Sequence, residues 1–321
     1  MMRAVERRAI IDIGSNSVKL LIADVGAGAV VPVDEMGEQT RLAQGLRVTG
    51  ELSTDAIDRT LAVCGRWMDV ARASEAVRFR ALATSAVRDA ANSIALLDRL
   101  EQTTGARPMV IDGDQEARWA YEGVVDPLGS RRTLVIDVGG GSVEFAWGRG
   151  RALDRWQSLQ LGVVRLLEGG VYSDPPIEEQ RRETEGRIRQ LLKENMAPEF
   201  ESELVASDEM DCVAVGGSAA ILANIKNGWT DFDRDQIDRV CLHRSELADL
   251  SDRLWRQGLE DRRRVVGVPP ERADVILMAA SLYETLMDRW NIASLRPSTR
   301  GLRFGAAADE VGPWFPVQKE G

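Results

Sequence analysis

Histidine is scarce in this sequence, and its scarcity excludes several kinds of active site. The 321 residues include one histidine, His243, so a histidine-rich metal site is excluded and a Ser-His-Asp triad is not expected. We interpret His243 as structural, because it follows an apolar run and precedes Ser245, which resembles a helix cap. The chemistry of this chain must therefore use carboxylates, hydroxyls, arginines, backbone amides and a metal ion.

Cysteine is also scarce, and long apolar runs and an excess of positive charge are absent. Cys64, Cys212 and Cys241 are widely spaced, which predicts reduced core thiols in a cytoplasmic protein. No apolar run is long enough to span a membrane, and the N-terminus does not resemble a secretory signal. A formal net charge of −10 argues against general nucleic-acid binding, although a local arginine cluster could hold a polyanion. We therefore expect neither a membrane nor a nucleic acid as partner.

An acidic turn lies between two apolar runs near the start of the sequence. Residues 10–25 read IIDIGSNSVKLLIADV, with Gly14 and Asn16 as turn-forming residues between two predicted strands. A β-hairpin explains the turn but not the carboxylate at the end of a buried strand. Asp is depleted in strands and is costly to bury without a partner. Asp12 therefore needs a partner, and a metal ion is one candidate.

The same pattern occurs a second time in the chain. Residues 135–146 read VIDVGGGSVEFA, and a shift of 125 positions aligns Asp12 with Asp137 and Gly14 with Gly139. Two copies predict a duplicated domain whose hairpins face one cleft, and chance similarity is the weaker alternative. The three glycines of the second copy leave backbone N–H groups accessible, as in an anion-binding nest. Facing carboxylates suit Mg²⁺, which binds one or two carboxylates together with substrate phosphates. The repeat therefore indicates phosphate chemistry.

Strands and helices alternate along the chain, which is typical of an α/β protein, and the length is sufficient for two domains. In the first half we predict strands at 8–14, 18–25, 30–36, 77–83 and 108–111, with helices at 54–73 and 114–124. In the second half we predict strands at 132–138, 143–148, 151–159 and 211–215, with helices at 177–196, 218–225, 245–257 and 271–289.

Nine motifs follow one another along the chain. They are IDIGSNSVKLLI, RLAQGLRVTGELS, ATSAVRDAAN, QEA followed after five residues by GV, VIDVGGGSVEF, LGVVRL, VGGSAAILA, ERADVILMAA and GLRFG. In this order they resemble the exopolyphosphatase/guanosine pentaphosphate phosphohydrolase (Ppx/GppA) family. The resemblance extends from residue 10 to about residue 305 and matches the short form of the family.

The resemblance implies an architecture and a reaction. The fold would be α/β, with two ribonuclease-H-like (actin-like) domains flanking a central cleft, in the superfamily of acetate and sugar kinases, Hsp70 and actin. The first domain would comprise 1–124 plus 303–321, with a returning C-terminal helix, and the second 125–302. The implied reaction is attack of water on the terminal phosphorus of polyphosphate or guanosine pentaphosphate (pppGpp). Mg²⁺ or Mn²⁺ would be the cofactor, and the family often forms homodimers.

The resemblance also assigns roles to individual carboxylates. Glu116 matches the catalytic base of the family; without the family it would be an acid favoured in the first turn of a helix by the dipole. Asp12 and Asp137 match carboxylates that position the metal and the attacking water, so Asp137 is also counted as catalytic. Glu144 is a further metal candidate, and an exposed strand residue is the alternative interpretation.

A second set of residues is expected to contact phosphate. Arg88 matches a phosphate-contacting arginine, and a salt bridge to Asp89 or Asp112 is the alternative. Lys19 replaces the usual arginine after the first hairpin, which keeps the charge but loses the planar fork. The remaining predicted phosphate-binding residues lie in three turns, of which the third could be a plain helix entrance: Ser15, Asn16, Gly139, Gly140, Gly141, Ser142, Gly217 and Ser218.

The sequence departs from the family pattern near the proposed base. Asp112 replaces a serine, Gln115 replaces a glutamate, and Phe304 replaces a glutamate in the last motif. The added charge at Asp112 would weaken binding of a polyanion, which supports a non-catalytic sensor of polyphosphate or pppGpp as one alternative. A phosphotransferase would need an adenosine pocket and a phosphoryl acceptor. The retained carboxylates favour an active hydrolase.

Overall fold

The structure is a computed structural model and describes residues 4–205 and 210–317. Within these residues the strands are β1 (Glu6–Ile13), β2 (Ser17–Gly26), β3 (Ala29–Gln39), β4 (Arg78–Ala83), β5 (Met109–Val110), β6 (Arg132–Val138), β7 (Val143–Arg149), β8 (Ala152–Leu159), β9 (Met210–Val215), β10 (Leu242–His243), β11 (Ser294–Ser298) and β12 (Phe315–Pro316). The α-helices are α1 (Leu46–Thr49), α2 (Thr54–Ala73), α3 (Ser85–Asp89), α4 (Ser93–Thr104), α5 (Gly113–Glu122), α6 (Val163–Glu168), α7 (Glu178–Asn195), α8 (Pro198–Val205), α9 (Gly217–Asn227), α10 (Arg234–Ile237), α11 (Arg244–Trp255), α12 (Leu259–Arg262), α13 (Ile276–Arg289) and α14 (Leu302–Ala308).

The chain divides into two compact units. The first comprises Met1–Gly123 and Leu302–Gly321, and the second comprises Val124–Gly301. The sheet of the first unit has the order β12-β4-β1-β2-β3, with β5 paired to β4. β1, β2 and β3 form an antiparallel meander, and β4 and β5 extend it in parallel from β1.

The second unit repeats this sheet topology. Its sheet has the order β10-β11-β9-β6-β7-β8, in which β6, β7 and β8 form the antiparallel meander. β9 lies parallel to β6 and β11 lies parallel to β9. An antiparallel meander continued by parallel strands is typical of ribonuclease-H-like domains. The predicted α/β fold with two such sheets is therefore confirmed.

The sheet of the first unit is buried on both faces. Alternate residues of β1 contribute to two apolar clusters: Ile11 packs with α2 and α4, whereas Ile10 packs with α5 and α14. A strand that is covered on both faces has a nearly continuous apolar sequence, which explains the composition of β1. The helix predicted at 54–73 is α2, whose apolar face is buried, and Ser53 Oγ accepts the N-terminal cap bond from Ala56 N.

The segment after α14 is held against the first sheet by a buried arginine. Arg80 is fully buried and donates hydrogen bonds to one backbone carbonyl within α14, that of residue 306, and to three in the segment after it, those of residues 309, 311 and 313. Trp119 on α5 donates through Nε1 to Asp309 Oδ2 at 3.0 Å. The guanidinium of Arg80 also lies 5.4 Å from the centre of the Trp119 ring. The C-terminal segment is therefore an integral part of the first unit.

Several predictions about single residues are corrected by the structure. Cys64 and Cys212 are buried, and burial raises the pKa of each thiol to about 12, but Cys241 is exposed and is not a core residue. The N-cap of α11 is His243 itself rather than Ser245.

Among the described residues, no helix is both long and apolar enough to cross a membrane.

Candidate functional site

The two repeated turns have the same backbone hydrogen bond. Gly14 N donates to Ser17 O at 3.0 Å, and Gly139 N donates to Ser142 O at 3.0 Å. A Cβ at either glycine would lie 3.0 to 3.1 Å from that same carbonyl oxygen, which leaves little space for a side chain. The repeat predicted with a shift of 125 positions is therefore a repeat of local structure.

The second turn presents backbone N–H groups on one side. The carbonyls of Gly139, Gly140 and Gly141 accept hydrogen bonds of 3.0, 2.9 and 3.1 Å from the backbone at the start of α6. In a planar trans peptide the N–H of the next residue points in the opposite direction. The N–H groups of Gly140, Gly141 and Ser142 therefore point away from α6. Three successive N–H groups on one side can bind an anion.

Glycine at position 162 allows α6 to approach this turn. A Cβ on Gly162 would lie 2.3 Å from the carbonyl carbon and oxygen of Gly140 and 2.4 Å from Gly141 N. No side chain fits at such distances from backbone atoms. Gly162, which the sequence analysis did not single out, is the residue that lets α6 hold the turn.

Two carboxylates face each other beside the second turn. Asp137 at the end of β6 is paired in register with Glu144 at the start of β7. Opposed residues of an antiparallel pair lie close enough for their side chains to interact. Glu144 is 2% exposed and accepts a 2.7 Å hydrogen bond from Ser158 Oγ. The alternative interpretation of Glu144 as an exposed strand residue is therefore wrong.

The Asp137 carboxylate is closely surrounded. A Cβ on Gly216 would lie 2.9 Å from Asp137 Oδ1, and Gly216 has a φ of 95°, so glycine is required there for space and conformation. Burial, together with the charge of Asp137, raises the pKa of the Tyr283 phenol. Gly216 therefore leaves room for this carboxylate where any other residue would crowd it.

The corresponding carboxylate of the first unit, Asp12, is buried opposite a lysine. It is 8% exposed and is paired in register with Lys19. Lys19 occupies the position in the first unit that Glu144 occupies in the second. Burial raises the pKa of Asp12, and the charges of Lys19 and Arg303 act in the opposite direction. Asp12 Oδ1 makes no hydrogen bond within residues 4–205 and 210–317.

Glu116 lies in the first turn of α5, as predicted. It is 8% exposed, and its Oε2 accepts a 3.0 Å hydrogen bond from Arg88 Nη1, which also donates to Ile111 O at 2.6 Å. Arg88 therefore pairs with Glu116 rather than with Asp89 or Asp112. The effect is to fix the orientation of the Glu116 carboxylate.

Asp112 begins the helix that carries Glu116. Its Oδ1 accepts a 2.8 Å hydrogen bond from Gln115 N, which makes Asp112 the N-cap of α5. Serine and aspartate are both favoured N-cap residues. Replacing the serine of the family by Asp112 therefore keeps the start of the helix, and its carboxylate has a structural role.

The third predicted turn joins β9 to α9. α9 begins at Gly217, and Ser218 in its first turn is buried. The first N–H groups of a helix have no partner within the helix, so this turn can also bind an anion. A Cβ on Gly217 would lie 3.9 Å from Arg272 Nη2. Arg272 lies in the ERADVILMAA motif and was not among the predicted site residues; its position near a glycine-rich turn becomes apparent only in the fold.

Each unit offers carboxylates of the kind that a hard divalent cation prefers. In the first unit, Asp12 Oδ1 is buried and makes no hydrogen bond with the described residues, and in the second unit Asp137 and Glu144 are paired in register on neighbouring strands. In the described part of the chain, no three His, Cys, Asp or Glu side chains are grouped to hold a metal ion. Mg²⁺ is usually bound by one or two carboxylates together with phosphates and water, so such a group is not required.

Comparison with known proteins identifies the family. The Ppx/GppA phosphatase family matches residues 21–312. The chain belongs to this family. It is 31% identical to exopolyphosphatase 2 of Mycobacterium tuberculosis over 327 residues, which cover 96% of this chain and 100% of the relative. It is 28% identical to exopolyphosphatase 1 of the same organism, with 93% of this chain and 86% of the relative covered.

Solved structures of Ppx/GppA proteins have the same fold. The Ppx/GppA enzyme of Aquifex aeolicus matches with a TM-score of 0.79 and 30% identity, covering 96% of this chain and 100% of that one. An exopolyphosphatase of Cytophaga hutchinsonii matches with a TM-score of 0.84 and 25% identity, covering 94% and 96%. The predictions of the family and of a hydrolase are therefore confirmed.

Proposed function

We propose that this Ppx/GppA protein is an exopolyphosphatase, which removes the terminal phosphate of inorganic polyphosphate by attack of water. The observation that carries the proposal is the row of three N–H groups at Gly140, Gly141 and Ser142, beside the facing carboxylates of Asp137 and Glu144. The two Mycobacterium tuberculosis relatives are named exopolyphosphatases, which agrees with a phosphate chain as substrate.

The N–H groups of the second turn are proposed to hold the terminal phosphate. Phosphoryl transfer depends mainly on positioning and on stabilisation of negative charge, and fixed backbone N–H groups supply both. Ser15 and Asn16 in the first turn, Lys19, and the third turn at Gly217 and Ser218 would contact other oxygens of the chain.

Glu116 is proposed as the general base. A base must lie within hydrogen-bond reach of its water, and the bond from Arg88 restrains the Glu116 carboxylate. Arg88 Nη2 and Nε make no hydrogen bond within the described residues, so the same guanidinium can also contact phosphate. Arg88 would thus orient the base and bind substrate together.

Asp12, Asp137 and Glu144 would hold Mg²⁺ or Mn²⁺. A divalent cation at these carboxylates neutralises charge on the phosphate chain. The residues of this chain would supply the remaining chemistry: Glu116 accepts the proton of the attacking water, and Asp137 helps to orient that water.

Guanosine pentaphosphate is proposed as a second substrate. Its terminal phosphate is attached by the same phosphoanhydride bond, and the second turn would contact phosphate oxygens rather than the base. A sensor would instead bind either compound without releasing phosphate.

The test is phosphate release from long polyphosphate, short polyphosphate and pppGpp, with and without Mg²⁺. In Glu116→Gln we expect kcat to fall by about 10²–10⁴-fold, with little change in KM, because a general base typically contributes that much. The matched control is Asp114→Asn, which removes an exposed carboxylate from the same helical turn and should keep normal kcat. A fall of less than about fivefold in Glu116→Gln would contradict its role as a base. Binding of the three compounds without any phosphate release by the wild type would favour the sensor.

A further inference from the structure

The side-chain amide of Asn16 is oriented by one neighbour. Gln39 Nε2 donates a 3.0 Å hydrogen bond to Asn16 Oδ1. Gln39 is the last residue of β3 and is paired with Ser17 of β2, so the sheet places its side chain beside the first turn. Because Oδ1 accepts from Gln39, Nδ2 is the end of the Asn16 amide that can donate elsewhere.

This donor is buried without a partner. Asn16 is 5% exposed, and its Nδ2 makes no hydrogen bond within the described residues. Buried polar atoms in folded proteins are nearly always paired, so an unpaired buried donor indicates where a ligand oxygen can bind. Gly141 occupies the equivalent position of the second turn and has no side chain. The first turn therefore adds a side-chain donor that the second turn lacks.

We propose that Gln39 is a positioning residue that makes the first turn selective for phosphate, because it holds the Asn16 amide with its NH₂ end towards a phosphate oxygen. The inference rests on the proposed phosphohydrolase function. A phosphate oxygen accepts hydrogen bonds, so it is attracted by Nδ2 and repelled by Oδ1. The orientation of one amide then determines the affinity, and Gln39 determines the orientation.

Two replacements of Gln39, one isosteric and one that can only donate, should differ in their effects. A carboxylate in Gln39→Glu only accepts, so it attracts Nδ2 and turns Oδ1 towards the phosphate. An ammonium in Gln39→Lys only donates, so it keeps the orientation of the wild type. Gln44 is exposed and five residues further along the chain. Gln44→Glu and Gln44→Lys are therefore matched controls for the change of charge alone.

The measurement is steady-state phosphate release from polyphosphate by the four variants. We expect the KM of Gln39→Glu to be about tenfold higher than the KM of Gln44→Glu, which corresponds to about 1.4 kcal/mol, with little change in kcat. Gln39→Lys should raise KM no more than Gln44→Lys. Equal effects at the two positions would overturn the proposal. A rise in KM for Gln39→Lys but not for Gln39→Glu would also overturn it, because the amide would then face the other way.

Binding of pyrophosphate separates this inference from the proposed function. The rise in melting temperature that pyrophosphate gives the wild type should be smaller in Gln39→Glu and unchanged in both Gln44 variants. This readout needs no turnover, so the inference would hold even for a wild type that releases no phosphate. A purely structural role for Gln39 predicts a lower melting temperature without ligand and an unchanged pyrophosphate effect, and that result would refute the proposal.

Discussion

Alanine at position 162 should displace the phosphate-binding turn of the second unit. The new Cβ would lie 2.3 Å from the Gly140 carbonyl, whereas ordinary contacts begin at 3.4 Å, so α6 and the turn must separate by about 1 Å. Both contacting groups are backbone, and no flexible side chain can move aside. The hydrogen bonds from α6 that orient the three N–H groups would then be lost or lengthened.

The size of the effect follows from this displacement. Overpacking of this kind typically costs about 1–3 kcal/mol of unfolding free energy. A shift of about 1 Å in a catalytic group costs on the order of 10²-fold in rate, so kcat/KM should fall by about that factor. Calorimetry and steady-state phosphate release on polyphosphate measure the two effects.

The matched control is Gly186→Ala in α7. A Cβ on Gly186 meets nothing within 4 Å, so this replacement should stabilise the protein by about 0.5–1 kcal/mol and leave the kinetics unchanged. If Gly162→Ala loses stability but keeps the kcat/KM of the wild type, the second turn does not bind the reacting phosphate.

Three further predictions concern the proposed metal ligands, Glu122 and the helix of the proposed base. Asp12→Asn and Asp137→Asn should each remove most activity and reduce the rise in melting temperature produced by Mg²⁺; near-normal turnover at saturating Mg²⁺ would contradict the assignment. Glu122→Gln should raise the melting temperature more at about pH 8 than at about pH 4. Glu122 is exposed, but partial desolvation and then the charge of Asp309 raise its pKa, so the stability of its protonated form is lost as the pH rises through that pKa; equal shifts at both pH values would be inconsistent with this cause. Gly305→Ala, whose Cβ would lie 2.2 Å from Trp119 O on α5, should lower kcat more than it raises KM, and steady-state kinetics test this.

The features predicted from the sequence are those with local causes. The two acidic turns could be recognised because strand, carboxylate, glycine and serine follow one another within a few residues, and one shift superimposes the copies. The helix at 54–73 could also be predicted from local features, because its apolar face and its cap at Ser53 both arise from the spacing of residues along one helix. Roles for Glu116 and Arg88 came from the family resemblance, and they stay predictions, as does the homodimer.

Features that depend on distant residues were not predicted. Arg88 contacts Glu116, 28 positions away, whereas the sequence suggested Asp89 or Asp112. No strand was predicted at Ser294–Ser298, because SLRPS contains a proline and no regular alternation. It becomes β11 because β9 offers it a parallel edge, with Pro297 paired to Ala214. The predicted C-terminal helix ends at Ala308 and is followed by β12, since Arg80 binds the carbonyls of residues 309, 311 and 313 between them.

The contribution of both chain ends to the first unit has a consequence for synthesis on the ribosome. Residues 124–301, which form the whole second unit, are translated before α14 and β12, on which the buried Arg80 and Trp119 depend. Domains generally fold as units during synthesis, so the second unit can fold while the first is still incomplete. The helix that carries Glu116 receives its packing partner α14 only after the whole second unit has been translated. A nascent chain can thus complete the glycine-rich turn at residues 139–142 before α14 holds α5 in place.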